Sequence, residues 1–171
     1  MVRTNRPIDV VHVGSASRDL VPGGQVTRRP PGSSALIRRA DLVGVSRHDV
    51  AAGTSLASLA GLMHSGADLL VTEGRGGGVL VRVGTDGPRE TLRYRSTAPD
   101  GEVDQTGAGD TFLAAALASV IRPAIGGRSR SRRAPDPRFA AAAGSPAVEG
   151  LGLAAVPDRA AVLVRRVRDR T

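Results

Sequence analysis

Short apolar runs, each bounded by glycine, proline or polar residues, dominate the first hundred positions of the chain. Such runs are typical of strands. Strands are therefore predicted at 8–14, 40–46 and 89–96 and, as a pair joined by a glycine-rich turn, within 67–84. Leu56, Leu59 and Met63 recur at helical spacing behind a Thr or Ser cap, which predicts a helix over 54–66. The order strand, helix, strand, strand from 40 to 84 indicates a layered α/β domain.

The second half of the chain carries alanine-rich and periodic stretches that predict helices. These helices are expected at about 110–121, 139–150 and 157–169. Residues 122–138 and 21–35 are rich in Arg, Gly and Pro without periodicity, so both segments are predicted to be loops.

Composition limits the core and the chemistry that the chain can support. A chain of 171 residues suffices for one domain, so 1–171 is treated as a single unit. Hydrophobic residues make up 40% of the chain but aromatic residues only 2%, so the core must be built from Val, Leu, Ile and Ala. The absence of cysteine from the sequence excludes a disulfide framework, a thiolate zinc site and a thiol nucleophile.

The formal net charge of +8 has a compositional explanation. All 24 basic residues are arginine, a bias that accompanies abundant Ala, Gly and Val. The candidate for a nucleic-acid interface is the cluster Arg128, Arg130, Arg132 and Arg133. Because single-strand binding relies on aromatic stacking and aromatic residues are scarce, we expect a solvated loop there and no nucleic-acid partner.

Several other classes of protein are excluded by simple patterns. No apolar run has membrane-spanning length, and the first residues lack the apolar core of a secretory signal, so we expect a cytoplasmic protein with no membrane partner. A Walker A loop requires a lysine, which the sequence lacks. No Gly-x-Gly-x-x-Gly opens a helix after a strand, as a dinucleotide site requires.

The stretch DQTGAGDTF, residues 104–112, carries the clearest chemistry. If a helix begins at Asp110, the Gly107-Ala108-Gly109 turn exposes backbone N–H groups at the positive end of the helix dipole, where an anion binds. Glycine lets a phosphate approach the backbone closely, and a carboxylate beside it can accept the proton of an attacking hydroxyl. The alternative is a turn followed by an acidic residue that favours the helix start for dipole reasons alone.

This stretch resembles the signature of the PfkB family of carbohydrate kinases, which have the ribokinase-like three-layer αβα fold. The resemblance implies that Asp110 is the catalytic base and contacts the substrate hydroxyl, and that Gly107, Ala108 and Gly109 form an anion hole. It further implies that Asp104 and Thr106 help to hold a monovalent cation, K⁺, near the phosphates.

Two more stretches fit the same family in the same order. VTEGRGG, residues 71–77, is similar to the family's nucleotide-binding turn, which implies ATP contacts from Thr72, Gly74 and Gly77. FAAAAGSPAVEGLG, from residue 139, resembles the small-residue helix that closes over the adenine. Taken alone, the first is a glycine-rich hairpin and the second is ordinary helix filler.

The N-terminal region resembles the substrate side of the family. Asp19, after the first strand, is the implied ligand of substrate hydroxyls, and PPGSS (30–34) resembles a substrate glycine loop. Members of the family are longer, and the part without a counterpart falls between about Ala35 and Ala40. We therefore expect an incomplete sandwich lacking most of the substrate lid and part of the sheet, with 1–35 a substrate-side remnant and 40–171 the ATP-binding and catalytic part.

A departure from the family pattern occurs at residues 46–49. Where the family has Asn and Glu three apart to organise magnesium, this chain has Ser46 and Asp49. Asp49 is the implied Mg²⁺ residue, since Mg²⁺ keeps several waters and needs few protein ligands.

Two functions remain open at this point. The first is an ATP-dependent phosphotransferase that acts on a hydroxyl of a sugar or nucleoside with the help of Mg²⁺. The second is a truncated, inactive nucleotide-binding relic of such a kinase. A homodimer is left open as an assembly.

Overall fold

The computed structural model describes residues 10–13, 33–50, 53–120 and 134–169. Within these residues the strands are β1 (Val10–Val13), β2 (Leu42–Ser46), β3 (Asp68–Thr72), β4 (Gly78–Gly84) and β5 (Gly87–Tyr94). The helices are α1 (Ser33–Arg39), α2 (Leu56–Ala60), α3 (Ala108–Val120), α4 (Pro137–Ala147) and α5 (Arg159–Arg168). Single 3₁₀ turns occupy Arg47–Asp49, Gly74–Gly76 and Gly152–Ala155.

The five strands form one sheet in the order of the chain, β1-β2-β3-β4-β5. β1, β2 and β3 are parallel, whereas β4 is antiparallel to β3 and β5 is antiparallel to β4. Ser46 of β2 lies opposite Thr72 of β3. The carboxyl ends of these two strands therefore meet at one edge of the sheet, which is where ligands bind in α/β proteins.

One face of the sheet is covered by α1 and α2. Alternate residues of a strand point to the same face, and here they are mostly valine. The sheet side of this layer consists of Val43, Val45, Leu69, Val71, Val79, Val81 and Val83, and the other side includes Ile37 of α1, Leu59 and Ala60 of α2, and Met63 just beyond α2. None of the described residues of this layer is aromatic, as the scarcity of aromatic residues predicts.

The other face is covered by α3 and α4. Leu42, Leu70 and Leu80 pack there against Phe112 and Leu113 of α3. A Cβ atom at Gly44 would lie 2.9 Å from Leu113 Cδ1, so the glycine lets α3 approach β2 closely. Tyr94 at the end of β5 stacks on Phe112, with ring centroids 5.6 Å apart. With helices on both faces, the chain has the expected three-layer αβα arrangement, in partial form.

α4 is built from small residues because it packs between two helices. Its buried alanines, Ala140 to Ala143, face α3 on one side and Val162 of α5 on the other. Asp136 caps the helix by accepting hydrogen bonds from the N–H groups of Arg138 and Phe139, both at 3.1 Å, and Pro137 occupies the first helical position. The alanines thus have a packing role, while closure over an adenine stays a prediction.

The element boundaries differ from the sequence predictions at several places. α1 occupies Ser33–Arg39, although residues up to 35 were predicted to be a loop. α2 ends at Ala60, short of the predicted 66, and Gly61 is its C-cap, with an N–H that donates to the Ala57 and Leu59 carbonyls. α3 and α4 begin at Ala108 and Pro137, each two residues before the prediction. The strand predicted at 89–96 runs from Gly87 to Tyr94.

Candidate active site

The start of α3 lies two residues earlier than predicted, which changes the role of the glycines. The Gly107 carbonyl accepts the first helical hydrogen bond, from the Thr111 N–H at 2.9 Å, so Gly107 is the N-cap. Gly107 alone of the three predicted anion-hole residues has a left-handed φ, of 82°. Ala108 and Gly109 therefore belong to the first helical turn rather than to a separate loop before Asp110.

This helix start is open to a ligand. The space where a Cβ atom of Gly107 would point holds no other described atom within 4 Å. Gly109 and Asp110 are exposed. The Ala108 N–H donates to the Gln105 carbonyl at 3.2 Å, whereas the next N–H groups of the first turn have no intrahelical acceptor. The dipole of the 13-residue helix adds a fractional positive charge there. Asp110 sits in this first turn, which suits both a catalytic base and a residue that only complements the dipole.

Asp104 and Thr106 form a turn that leads into α3. The Asp104 carboxylate accepts a hydrogen bond from the Thr106 N–H, at 2.9 Å. This bond, together with a second one from the Thr106 hydroxyl, lowers the pKa of Asp104. Asp104 is therefore an ionised carboxylate that braces the loop, and its role as a ligand of a monovalent cation stays a prediction.

The glycine-rich turn after β3 is shaped by backbone packing. Gly74 and Gly77 have left-handed φ values of 56° and 86°. A Cβ atom at Gly77 would lie 2.1 Å from the carbonyl oxygen of Tyr94, so no other residue fits without moving β5. Thr72, half-buried, ends the strand. The turn needs its glycines for its own geometry, whether or not it contacts a nucleotide.

Glu102 connects this turn to the loop before α3. Arg75 forms an ion pair with the Glu102 carboxylate, and Gln105 donates to the same carboxylate. The Gln105 and Arg75 contacts lower the pKa of Glu102, with Gln105 the larger cause. The predicted nucleotide turn and the predicted anion hole thus lie on the same side of the molecule. Local sequence patterns missed this link because Arg75 and Glu102 are 27 positions apart.

Asp49 lies at the edge of the sheet where the carboxyl ends of β2 and β3 meet. It ends the 3₁₀ turn Arg47–Asp49, which directly follows β2 and is capped by Ser46, whose hydroxyl accepts from the His48 N–H at 3.3 Å. Ser46 is in register with Thr72. Within the described ranges, no group of three or more His, Cys, Asp or Glu side chains could hold a metal ion. A single carboxylate still fits Mg²⁺, which is held in kinases by one or two carboxylates, phosphates and waters.

Several predicted residues cannot be placed. Asp19 lies outside the described residues, as do Arg128, Arg130, Arg132 and Arg133. Of the predicted substrate loop 30–34, Ser33 and Ser34 belong to α1 rather than to a loop. Among the described helices, none is long and apolar enough to cross a membrane.

Comparison with known proteins gives a consistent fold. No protein-family model matches the chain, and no curated protein matches it in sequence. The ribokinase of Arabidopsis thaliana, solved with ribose and ATP, is 26% identical with a TM-score of 0.56, over 78% of this chain and 43% of that one. The ribokinase of Giardia lamblia is 18% identical with a TM-score of 0.66, over 93% of this chain and 50% of that one.

A nucleoside kinase gives a similar match. The enzyme of Methanocaldococcus jannaschii is 19% identical with a TM-score of 0.58, over 78% of this chain and 42% of that one. The chain thus spans half or less of the length of these three kinases. The resemblance carried by residues 104–112 is confirmed at the level of the fold: the chain has a partial ribokinase-like fold, that of the PfkB kinases.

Proposed function

We propose that the chain is the ATP-binding and catalytic part of a kinase that transfers the γ-phosphoryl group of ATP to a hydroxyl of a sugar or nucleoside. The observation that carries this proposal is the position of Asp110. It is an exposed carboxylate in the first turn of α3, directly behind the left-handed Gly107 and at the positive end of the helix dipole. A phosphate bound at the start of α3 would therefore lie beside the carboxylate that is proposed as the base.

In the proposed reaction, Asp110 accepts the proton of the substrate hydroxyl as the hydroxyl oxygen bonds to the γ-phosphorus. The bond from that phosphorus to the bridging oxygen breaks, and ADP leaves. The N–H groups at the start of α3 stabilise the charge on the transferred phosphoryl oxygens. Thr72, Gly74 and Gly77 contact the nucleotide in this proposal, and Asp104 with Thr106 supports the phosphate loop through a monovalent cation.

Asp49 is the proposed Mg²⁺ residue. A bound Mg²⁺ neutralises phosphate charge and orients the phosphates. Asp49 supplies one oxygen ligand at the carboxyl end of β2, beside the end of β3. The donor type suits this ion, and the remaining ligands would be phosphate and water.

The decisive experiment is the substitution Asp110→Asn. The change keeps the side-chain shape but removes the base, so turnover should fall by about 10²- to 10⁴-fold. ATP binding, measured by calorimetry with MgCl₂, should remain, since asparagine is tolerated at a helix start. Turnover is measured by ADP release over a panel of sugars and nucleosides.

Asp158→Asn is the matched control. Asp158 caps α5 by accepting from the Ala161 N–H at 2.8 Å, and asparagine caps equally well. The control removes the same charge from the start of another helix, so it should turn over like the unmodified chain. Equal activity of the Asp110→Asn variant and the unmodified chain would refute the assignment of Asp110 as the base.

The small share of the Arabidopsis ribokinase that the chain covers favours a second candidate, an inactive nucleotide-binding relic. The chain covers 43% of the Arabidopsis ribokinase, so much of a complete kinase has no counterpart here. In this case calorimetry would detect ATP binding while no sugar or nucleoside in the panel was phosphorylated. Turnover that depends on Asp110 would exclude the relic.

A further inference from the structure

Arg165 of α5 is buried although it is charged. Its side chain is only 10% exposed, and arginine is rarely buried unless it is paired. The mechanism above does not use this residue. Its burial therefore requires an explanation from what it contacts.

The Arg165 guanidinium contacts two segments that are distant in sequence. One nitrogen donates to the Glu149 carboxylate at 2.5 Å, beyond the end of α4. The other donates to the Ala98 carbonyl at 3.3 Å and lies 3.3 Å from the Asp100 carboxylate. Arg168, one turn further along α5, donates to both oxygens of the same Asp100 carboxylate, at 3.0 and 3.2 Å.

The segment just after α4 also holds the loop of residues 98–104, which leads into the candidate active site. The Glu149 carboxylate accepts from the Asp100 N–H at 2.7 Å. The neighbouring Val148 carbonyl accepts from the N–H groups of Val103 and Asp104, at 2.7 and 3.2 Å. Arg165 therefore holds the Glu149 carboxylate, and this carboxylate holds the loop through the Asp100 N–H. Asp104, at the end of the loop, accepts from the Thr106 N–H in the turn before α3.

We infer that Arg165 is a positioning residue for the phosphate site: through Glu149 and Ala98 it holds residues 98–104, and thereby Asp104 and the start of α3, in place. This inference rests on the proposed function for its link to ATP. A buried, hydrogen-bonded guanidinium suits the role because it binds two partners in a fixed planar geometry. Lysine supplies the charge and rotatable donors but not the planar fork, so it can reproduce this geometry only in part.

The test compares Arg165→Met with Arg165→Lys and with Arg166→Met in the full chain. Arg166 neighbours Arg165 on α5, but its partner is Asp136 at the start of α4, at 2.8 Å, so it controls for the docking of α5. Amide hydrogen exchange is followed by NMR. In Arg165→Met the Val103 and Asp104 amides should exchange about tenfold faster or more, while sheet amides keep their protection.

Arg165→Lys should restore part of this protection, and Arg166→Met should leave it unchanged. The affinity for ATP, measured with MgCl₂, should fall about tenfold in Arg165→Met and recover partly in Arg165→Lys. Unchanged exchange at Val103 and Asp104 in Arg165→Met would overturn the inference. An equal effect of Arg166→Met would also overturn it, because Arg165 would then serve only to dock α5.

If Arg165→Met does not fold, Glu149→Met takes its place, since it keeps a side chain of similar length and removes both the charge and the oxygen that accepts from Arg165 and from the Asp100 N–H. The same selective loss of protection is expected, and its absence overturns the inference. A chain that binds no ATP at all would refute the proposed function, while the exchange pattern still decides the role of Arg165. The two failures are therefore distinguishable.

Discussion

Gly77 and Gly107 have almost the same backbone conformation in different surroundings, which allows a matched test. Their φ values are 86° and 82°. A Cβ atom at Gly77 would lie 2.1 Å from the Tyr94 oxygen and 2.8 Å from the Ser96 nitrogen, whereas the same atom at Gly107 meets no described atom within 4 Å. Substitution by alanine therefore strains both backbones but creates a clash at only one.

The magnitudes follow from these two terms. A left-handed conformation costs a residue with a Cβ atom about 1–2 kcal/mol, so Gly107→Ala should lower the free energy of unfolding by that amount. Gly77→Ala adds an overpacking term of about 1–3 kcal/mol, because the Tyr94 oxygen belongs to the backbone and β5 must move. The expected loss for Gly77→Ala is about 2–5 kcal/mol.

Urea unfolding followed by far-UV circular dichroism measures both variants. With a slope of about 2 kcal/mol per M, in the middle of the usual range, Gly107→Ala should lower the midpoint by roughly 0.5–1 M, and Gly77→Ala by about twice as much or more. Gly53→Ala is the control, since Gly53 has a φ of 82° and equally open space. It should match Gly107→Ala in stability but, unlike that variant, leave ATP affinity unchanged.

Two results would refute this reasoning. Equal losses for Gly77→Ala and Gly107→Ala would mean that the close approach of β5 does not determine the need for glycine at position 77. Equal ATP affinity for Gly107→Ala and Gly53→Ala would mean that the left-handed N-cap of α3 has no part in binding phosphate.

Two further predictions concern the core. Burial raises the pKa of Tyr94, with the charge of Glu73 as a smaller cause. The stability from the neutral phenol is fully present below the ordinary pKa of about 10 and is lost as pH rises above it. In an ultraviolet titration the only tyrosine of the chain should therefore form tyrosinate as the chain unfolds. Ionisation of the folded chain near pH 10 would contradict this prediction. Asp68 is fully buried and accepts two hydrogen bonds from Arg82, at 2.9 and 3.1 Å. Arg82→Met should therefore lower the free energy of unfolding by about 3–5 kcal/mol, and the double variant with Asp68→Val by less, as measured by urea midpoints. A double variant less stable than Arg82→Met would be evidence that the loss does not come from an uncompensated charge.

Local patterns were sufficient to predict the strands and the approximate start of α3, while the chemistry of that helix start stays a prediction. Apolar runs such as Leu42–Ser46 and Asp68–Thr72 read directly as strands because both faces of a parallel strand are buried. The bare glycine turn before Asp110 identified the helix start to within two residues. α1 was missed because the helix begins directly after a segment rich in proline and glycine, which predicts a loop.

The links that hold the candidate site together could not be predicted. Glu102 and Arg75 are 27 positions apart, and Arg165 lies 67 positions from Ala98. In a chain with 24 arginines, no local pattern distinguishes Arg165, which is buried, from the exposed arginines among the described residues. Only the packing of α5 against α4 and the preceding loop selects Arg165.

The order of the strands has a consequence for how the chain folds. Each described strand pairs with its neighbour in sequence, so no strand has to insert between two that are already paired. The β4–β5 hairpin closes over the two residues Thr85 and Asp86, and short loops close fastest and at the least entropic cost. The sheet can therefore grow from this hairpin toward β1, one strand at a time. α3, which carries Asp110, then docks on a surface that already exists.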